Sequence, residues 1–379
     1  IRRPPRSTPK PSSAASDVYK RQLYSRASTI PEEDSQQLLD RFAPDGFIDH
    51  FKHIEMKPFA AASIGQIHRA ELKDGSKVVV KIIKSDFEAS FKRDVQRMKR
   101  WIRMGLFFNP RLRKVGNPIG LLAHIEDYTL RELNLLNEIN GRNQLIAQAE
   151  AIEAHFAMPK LKFPKMWEAL SNEHILVMEE ITHPTLEDHL EAGTLTWPDM
   201  LELFRIHGAF MFGLGTFHGD LHPGNAMMDD QGNFLFIDTG AICNAPEHVR
   251  NALFGFFYFL AKGELKNAFD AMLTMAAVRP TGKTLDTYYA SMNELYEGFV
   301  GTSVSEVSLT EQMMKTVKAA VLAGCAFGEE AFPIIRSLMY MDGMVLKGHP
   351  SVDLISSMGP YLDEFSVLID PHSIIKSED

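Results

Sequence analysis

The residues best suited to chemistry lie in one segment, from His218 to Asn225, and in a single acid that follows it. The segment reads His-Gly-Asp-Leu-His-Pro-Gly-Asn, and Asp238 comes thirteen residues after Asn225. An amide oxygen and a carboxylate are hard oxygen ligands of the kind that Mg²⁺ requires. We therefore expect Asn225 and Asp238 to bind Mg²⁺, and Asp220 to orient a hydroxyl or a water and to take its proton.

The spacing of these residues follows two motifs of protein kinases. Asp220 and Asn225 are placed as in H-R-D-x-x-x-x-N, and Asp238-Thr239-Gly240 matches D-F-G with Thr at the central position. The alternative is a polar turn between a helix and a hairpin. His218 and His222 could suggest zinc, but no Cys or third ligand lies nearby in the sequence. We interpret His218 as structural and His222 as a residue that shapes the loop.

A second candidate site lies upstream, in the alanine-rich run over residues 60–67 and in Lys81. The run fits G-x-G-x-x-G-x-V, with alanine in place of the first two glycines. Such a loop brings backbone N–H groups close to phosphates. Lys81 follows the run by fourteen residues, where a kinase has the lysine that holds the α- and β-phosphates. The alternative is an alanine-rich turn and a surface lysine. The candidate nucleotide-binding residues of the run are Ala60, Ala61, Ala62, Ser63 and Gly65.

A kinase lysine needs a carboxylate from a following helix as its partner. Glu88 is the nearest candidate but lies at the start of its predicted helix, and the stretch with Glu132 and Glu138 is the better candidate. Glu132 and Glu138 are six residues apart, which places them roughly on neighbouring faces of one helix. The residues alone favour a solvated acidic helix face, so the identity of the partner stays open at this point.

The surrounding pattern predicts a β-rich N-terminal part with a helical insert, followed by a mostly helical C-terminal part. Asp74-Gly75 stands between two β-rich runs and predicts a hairpin turn. This order is typical of an α+β, kinase-like fold of two lobes, with nucleotide held between them. The other predicted elements are a helix over 31–51, a helix-rich stretch over 86–151, a short strand near 163–166, a buried strand over 174–181 and a small β segment over 225–237.

Composition argues against several classes of protein. The chain has 379 residues, of which 45% are hydrophobic and 23% charged, as in an ordinary globular protein. A formal net charge of −9 gives no electrostatic support to nucleic-acid binding. The two cysteines, Cys243 and Cys325, fit a reducing compartment. No apolar run reaches the roughly 18–20 residues that span a bilayer. We therefore expect a cytoplasmic protein, with peripheral membrane contact left open.

The first 22 residues differ from the rest of the chain, because they are rich in Pro, Ser and Arg and contain one acid, Asp17. We expect residues 1–22 to be disordered and to be a non-native leader, and an Arg-rich transit peptide is the alternative. The remaining predicted divisions are a truncated helical extension over 23–57, a kinase-like N-lobe over 58–182, and a helical C-lobe over 183–379 that carries the catalytic and metal loops.

Together these motifs resemble those of the UbiB/AarF (ADCK-type) family of atypical kinases. The stretch over residues 57–82 is similar to the alanine-rich nucleotide loop of that family. Glu132 to Glu138 is similar to its E-x-D segment and the lysine-pairing glutamate. His218 to Asn225, with Asp238-Thr239-Gly240, resembles its catalytic and metal motifs. The resemblance runs from about Arg26 to Phe365 and includes the C-terminal stretch 338–362.

The resemblance implies a kinase or ATPase that uses ATP and Mg²⁺ and supports ubiquinone biosynthesis. Lys81 would pair with Glu138, and Glu132 would be the glutamate of E-x-D, where Asn134 replaces the usual Asp. The family also has an N-terminal K-x-G-Q element, which would precede Ser25 and is not found there, so we expect a truncated chain. The catalytic and metal set would be Asp220, Asn225 and Asp238, and the remaining candidate nucleotide-binding residues are Met178 and Glu179.

We expect the phosphoryl acceptor to be a small molecule, a lipid or water rather than a peptide. The expected partners are ATP and a polyprenyl-phenol or quinone-like lipid, and not nucleic acid. Two alternatives remain. One is a small-molecule phosphotransferase of the aminoglycoside type, and the other is a nucleotide-gated, lipid-binding pseudokinase. Retention of Lys81, Asp220, Asn225 and Asp238 weighs against complete loss of chemistry.

Overall fold

A computed structural model describes residues 32–61, 65–83, 87–108, 133–328 and 331–376, together with isolated positions from 119 to 131. Three of the candidate residues, Ala62, Ser63 and Glu132, and the predicted leader over 1–22 lie outside the described residues. Contacts divide the chain into two compact units. The first comprises residues 1–139 and 165–181, and the second comprises residues 140–164 and 182–379.

The strands, in chain order, are β1 (Phe51–Ile54), β2 (Ala60–Ala61), β3 (Gly65–Leu72), β4 (Lys77–Ile83), β5 (Leu161–Lys162), β6 (Ile175–Glu179), β7 (Thr216–His218), β8 (Ala226–Met228), β9 (Phe234–Phe236), β10 (Ile242–Asn244), β11 (Ala276–Val278) and β12 (Ala326–Phe327). The α-helices are α1 (Glu32–Phe42), α2 (Phe87–Phe108), α3 (Leu136–Ile152), α4 (Leu186–Ala192), α5 (Trp197–Gly208), α6 (Glu247–Ala261), α7 (Leu265–Thr274), α8 (Lys283–Tyr296), α9 (Leu309–Leu322), α10 (Phe332–Gly348), α11 (Leu354–Phe365) and α12 (Pro371–Lys376). The α+β class predicted from the sequence is confirmed.

The first unit contains an antiparallel sheet with the strand order β1-β3-β4-β6, and β2 pairs with β3 at its side. The predicted hairpin is confirmed, since β3 and β4 pair along their length on either side of Asp74-Gly75. Gly75 has a φ of 88°, which favours glycine, and Asp74 Oδ1 accepts a hydrogen bond of 2.8 Å from the amide of Ser76. The predicted buried strand is also confirmed as β6, which pairs with β4.

Alternating apolar residues give this sheet its buried face. Val78, Val80 and Ile82 of β4 pack in one cluster with Ile175 and Val177 of β6. The same cluster includes apolar side chains of α1 and of the turn that follows it. These are Leu38, Leu39 and Phe47.

Two predicted element boundaries were wrong, and proline or glycine lies at each. Helix α1 ends at Phe42, where we expected a helix to residue 51, because Pro44 and Gly46 interrupt it. Gly46 adopts a left-handed conformation and leads into a 3₁₀ turn over Phe47–His50. The strand expected near 163–166 begins earlier, at β5, and Pro164, which has no N–H for a strand ladder, follows it. Within the expected range, Met166 forms an isolated antiparallel bridge with Met178 of β6.

Helices dominate the second unit, and α6 packs extensively against α7. The apolar run from Ala252 to Leu260 is almost wholly buried in α6. Three small sheets pair β8 with β9, β7 with β10, and β11 with β12. The pairing of β8 with β9 confirms the small β segment predicted over 225–237, and β5 adds to β9 in parallel. Within the described ranges, no helix is both long and apolar enough to cross a membrane.

Candidate functional site

The candidate catalytic segment of the second unit, residues 218–225, lies between two short strands. Strand β7 ends at His218, and β8 begins at Ala226. A 3₁₀ turn over Pro223–Asn225 connects the loop to β8, and Asn225 is buried at its end. The segment is therefore held at both ends by strand pairing, because β7 pairs with β10 and β8 pairs with β9.

His218 connects the loop of Asp220 to the segment of Asp238. Its Nε2 lies 3.0 Å from the carbonyl oxygen of Ile237, and its Nδ1 accepts a hydrogen bond of 3.2 Å from the amide of Asp220. The acceptor role of Nδ1 requires that Nε2 carries the proton and donates it. Burial lowers the pKa of His218, so the ring is neutral at pH 7. A single buried ring therefore fixes the distance between the two motifs.

The side chain of Asn225 is oriented by Asp220, the candidate base. Its Nδ2 donates to the carbonyl oxygen of Asp220 at 3.0 Å and lies 3.5 Å from Asp220 Oδ2. Because the amide nitrogen is used in this way, Oδ1 of Asn225 is the amide atom suited to a metal. The amide of Ile237 also donates to the carbonyl oxygen of Asn225 at 3.0 Å. This bond places Asn225 beside the residue that precedes Asp238. The amide oxygen of Asn225 and the carboxylate of Asp238 are oxygen donors of the kind that could hold Mg²⁺.

Asp238 has an unusual backbone conformation. Its φ is 53°, and among the described residues it is the one residue other than glycine with a positive φ. Such a conformation is strained for most residues, and it is common at functional sites, where the surrounding structure maintains it. Asn and Asp tolerate the left-handed region better than other residues do.

His222 shapes the turn that carries Asn225. Its Nδ1 accepts a hydrogen bond of 3.0 Å from the amide of Gly224, which caps the 3₁₀ turn. Its Nε2 lies 4.0 Å from Asp220 Oδ2. The described part of the chain contains no group of three His, Cys, Asp or Glu side chains arranged to hold a metal ion, so the histidines have no set of partners there for zinc.

Two glycines allow close contacts around these motifs. A Cβ atom on Gly219 would lie 2.2 Å from Cys243 Sγ and 2.7 Å from the carbonyl oxygen of Ala241. The H-R-D motif has Arg at this position. Here the pairing of β7 with β10 brings Cys243 and Ala241 so close that only glycine fits. A Cβ atom on Gly141 of α3 would lie 2.0 Å from the carbonyl oxygen of Thr239.

In the first unit, Lys81 Nζ forms an ion pair with Glu138 Oε1. Lys81 lies in β4, and Glu138 lies in the first turn of α3. The two side chains are only 10% and 5% exposed. Glu138 is therefore a partner of Lys81 in the structure; the side chain of Glu88 and all of Glu132 lie outside the described residues.

The alanine-rich loop begins as a strand. Ala60 and Ala61 form β2 and pair with Ile67 and Gln66 of β3. A Cβ atom on Gly65 would lie 2.4 Å from the carbonyl oxygen of Ile82. The close approach of β3 to β4 therefore accounts for this glycine without any ligand.

The other candidate residues of the first unit, Asn134, Met178 and Glu179, take part in its secondary structure. Asn134 Oδ1 accepts a hydrogen bond of 3.0 Å from the amide of Leu136 and so caps the start of α3. Met178 and Glu179 lie in β6 opposite β4. Glu179 Oε2 accepts a hydrogen bond of 3.1 Å from the amide of Lys165. An amide oxygen at Asn134 performs the cap, so the acid usual in the family is not needed for it.

Two residues of α10 contact the catalytic segment, and the motifs did not identify them. Arg336 Nη2 donates to the carbonyl oxygen of Gly219 at 2.7 Å. The hydroxyl of Tyr340 donates to Asp220 Oδ1 at 2.8 Å. Tyr340 lies 120 residues after Asp220, so no local spacing signal could reveal the contact.

The fold is kinase-like, and sequence comparison identifies the family. The model of the ABC1 atypical kinase-like domain family matches residues 22–272. The chain therefore belongs to this family, which confirms the resemblance drawn from its motifs. A solved complex of Rv3197 with erythromycin from Mycobacterium tuberculosis is similar in fold, with a TM-score of 0.59 and 18% identity over 93% of this chain and 87% of that chain.

Curated relatives are similar over most of this chain. The uncharacterized protein sll0095 of Synechocystis is 24% identical over 91% of this chain. The probable protein kinase UbiB of Sodalis glossinidius is 25% identical over 83% of this chain. The match spans 64% of the first relative and 58% of the second.

Proposed function

We propose that the protein is an atypical kinase or ATPase that binds Mg-ATP and transfers a phosphoryl group to a small molecule, a lipid or water. The observation that carries this proposal is the position of His218, which hydrogen-bonds to both Asp220 and Ile237. The neutral ring keeps the candidate base at a fixed distance from the segment that carries Asp238. Membership of an atypical kinase-like family supports the same assignment.

The first unit would supply the phosphate-binding lysine. Lys81 would hold the α- and β-phosphates, and Glu138 would hold Lys81 in place. An ion pair with both side chains almost fully buried loses the hydration of two charges, which makes it a poor device for stability alone. Its burial therefore favours a functional role. The proposal that Lys81 and Asp238 serve the same nucleotide rests on the family.

The second unit would supply the metal ligands and the base. Asn225 and Asp238 would hold Mg²⁺, which when bound neutralises negative charge on the phosphates. Asp220 would accept the proton of the acceptor hydroxyl or water. The acceptor oxygen forms its bond to the γ-phosphorus, and the bond from that phosphorus to the oxygen of ADP breaks.

The segment after Asp238 favours a non-peptide acceptor. In a protein kinase, an activation segment between D-F-G and A-P-E carries the phosphosite. Here Ala245-Pro246-Glu247 spells A-P-E, but Ile242–Asn244 already forms β10, and α6 begins at Glu247. The backbone of this segment is used in pairing with β7, so it offers no loop that could order around a peptide.

Helix α2 supports the further proposal of contact with an anionic membrane, where a polyprenyl-phenol or quinone-like lipid would reside. Met98, Trp101 and Met104 are 51%, 69% and 44% exposed. Arg97 and Arg100 are exposed on the same helix. An exposed tryptophan among basic residues suits the interface of an anionic bilayer. The role in quinone biosynthesis rests on the family resemblance.

One set of assays tests the proposed function. We expect the wild-type protein to release ADP from Mg-ATP, and Asp220→Asn to lower this rate at least about a hundredfold. Asp230→Asn, in an exposed turn of the same unit, is the matched control and should retain the wild-type rate. Equal turnover in Asp220→Asn and wild type would show that the assignment of the base is wrong.

The acceptor is tested with the same protein. The reactions are a polyprenyl-phenol analogue in anionic vesicles, a panel of aminoglycosides, and buffer alone. We expect labelled phosphate on the lipid analogue or released as inorganic phosphate. Phosphorylated aminoglycoside would favour the small-molecule phosphotransferase. Tight Mg-ATP binding without turnover would favour the lipid-binding pseudokinase.

A further inference from the structure

Two side chains of α10, one turn apart, bind consecutive residues of the catalytic segment. Arg336 Nη2 donates to the carbonyl oxygen of Gly219 at 2.7 Å, and the Tyr340 hydroxyl donates to Asp220 Oδ1 at 2.8 Å. Residues four apart share one face of a helix. The same face of α10 therefore holds both the backbone before Asp220 and the Asp220 carboxylate.

The two oxygens of Asp220 are held differently. Oδ1 has the short hydrogen bond from Tyr340. Oδ2 lies 3.5 Å from Asn225 Nδ2 and 4.0 Å from His222 Nε2, which are longer contacts. A carboxylate rotates readily about its last torsion, because the preference there is broad. The bond from Tyr340 fixes that rotation and leaves Oδ2 as the oxygen with the weaker contacts.

The Tyr340 ring is itself held in place. Its ring centroid is 6.0 Å from that of His222, and the rings are inclined by 64°. His222 is fixed in turn, because its Nδ1 caps the turn that carries Asn225. The phenol is thus part of a connected set that includes the candidate base and the turn with a candidate metal ligand.

We propose that Tyr340 is a positioning residue for phosphoryl transfer, which holds the Asp220 carboxylate so that Oδ2 faces the acceptor hydroxyl or water. This inference rests on the proposed function, in which Asp220 accepts the proton. Tyr340 acts through Asp220 and exchanges no proton with the acceptor. Loss of its hydroxyl should therefore affect the chemical step and leave nucleotide binding unchanged, because orientation of a reacting group contributes to rate.

The test is Tyr340→Phe, with Tyr289→Phe as a matched control. The Tyr289 hydroxyl donates to Asp270 Oδ1 at 2.5 Å, so the control also removes a bond between a phenol and a carboxylate in the same unit. We expect Tyr340→Phe to lower kcat for ATP turnover about tenfold or more. The KM for ATP and the free energy of unfolding should match those of Tyr289→Phe. Equal kcat in the two variants, a loss confined to KM, or a rise in kcat would overturn the proposal.

The double variant Asp220→Asn/Tyr340→Phe separates this inference from the proposed function. If Tyr340 acts through Asp220, the double variant should be no slower than Asp220→Asn alone. A further loss in the double variant would show that Tyr340 acts elsewhere. Full turnover in Asp220→Asn, or none in the wild type, would overturn both the proposed function and the inference. Loss in Asp220→Asn with wild-type kcat in Tyr340→Phe would overturn the inference alone.

Discussion

Gly141 of α3 lies against the carbonyl oxygen of Thr239, at a distance that excludes any side chain. A Cβ atom at position 141 would be 2.0 Å from that oxygen and 2.7 Å from Cγ1 of Ile242. Thr239 is fully buried and stands where the D-F-G motif has Phe. With glycine at position 141 and Thr in place of Phe at position 239, the backbones of these two residues can approach closely. The contact also fixes the residue next to Asp238.

Gly141→Ala should therefore disturb the position of Asp238, the candidate metal ligand, as well as the stability of the fold. The added methyl group meets backbone that must shift, and overpacking of this kind typically costs about 1–3 kcal/mol. We expect a lower free energy of unfolding in a denaturant titration, and a lower affinity for Mg-ATP in calorimetry. Gly105→Ala in α2 is the control, because a Cβ atom there has nothing within 4 Å. That control should raise stability by about 0.5–1 kcal/mol through helix propensity. Similar stability in the two variants would contradict the contact.

The Lys81–Glu138 ion pair predicts strong coupling between these two residues. Removal of one partner leaves the other charge in a buried site, which costs about 3–5 kcal/mol for a fully buried pair. Lys81→Met and Glu138→Gln should each lower the free energy of unfolding, and the double variant should lose much less than the sum of the two. Denaturant titrations of the four proteins measure the coupling. Additive losses would show that the pair does not contribute as a unit.

The structural features that were predicted correctly depend on residues that lie close together in the sequence. The Asp74-Gly75 hairpin and the buried β6 strand follow from local turn chemistry and apolar runs. Contacts between residues far apart in sequence, such as that of Tyr340 with Asp220, leave no such local signal. The reason for Gly219 was equally hidden, because it depends on which strand pairs with β7. The end of α1 depends on Pro44 and Gly46, whose effect on the backbone outweighs the helical spacing of the apolar residues.

Asp238→Asn should abolish most Mg-dependent ATP binding and preserve the fold. Asn tolerates the positive φ of this position nearly as well as Asp, so the backbone strain is unchanged. The substitution removes the carboxylate that we assign to the metal. Calorimetry should show Mg-ATP affinity at least about tenfold weaker, with an unchanged affinity in the Asp230→Asn control. A wild-type affinity in Asp238→Asn would place the metal elsewhere.

Helix α2 predicts binding to anionic vesicles. Trp101→Ser should weaken binding to vesicles that contain phosphatidylglycerol by about tenfold, since the side chain is 69% exposed and would insert at the interface. Arg97→Gln and Arg100→Gln should each cost about 1 kcal/mol, and the loss should disappear at high salt. Leu322→Ser is the control, because Leu322 is 78% exposed on a different helix, α9. Vesicle sedimentation that does not distinguish Trp101→Ser from Leu322→Ser would exclude α2 as the membrane contact.

The last prediction is that the protein does not phosphorylate ordinary protein substrates at the rate at which it consumes ATP. The segment between Gly240 and Ala245 is occupied by β10, whose residues Ile242, Cys243 and Asn244 pair with β7. The amide of Ala245 also donates to the carbonyl oxygen of Gly215 at 2.7 Å, and α6 starts two residues later. A peptide platform would require this backbone to leave its pairing, at the cost of buried hydrogen bonds. Labelled ATP with casein or myelin basic protein should yield little protein-bound phosphate relative to ADP, and Asp220→Asn controls for contaminating kinases. Stoichiometric transfer to either substrate by the wild type, absent in Asp220→Asn, would show that the acceptor is a peptide.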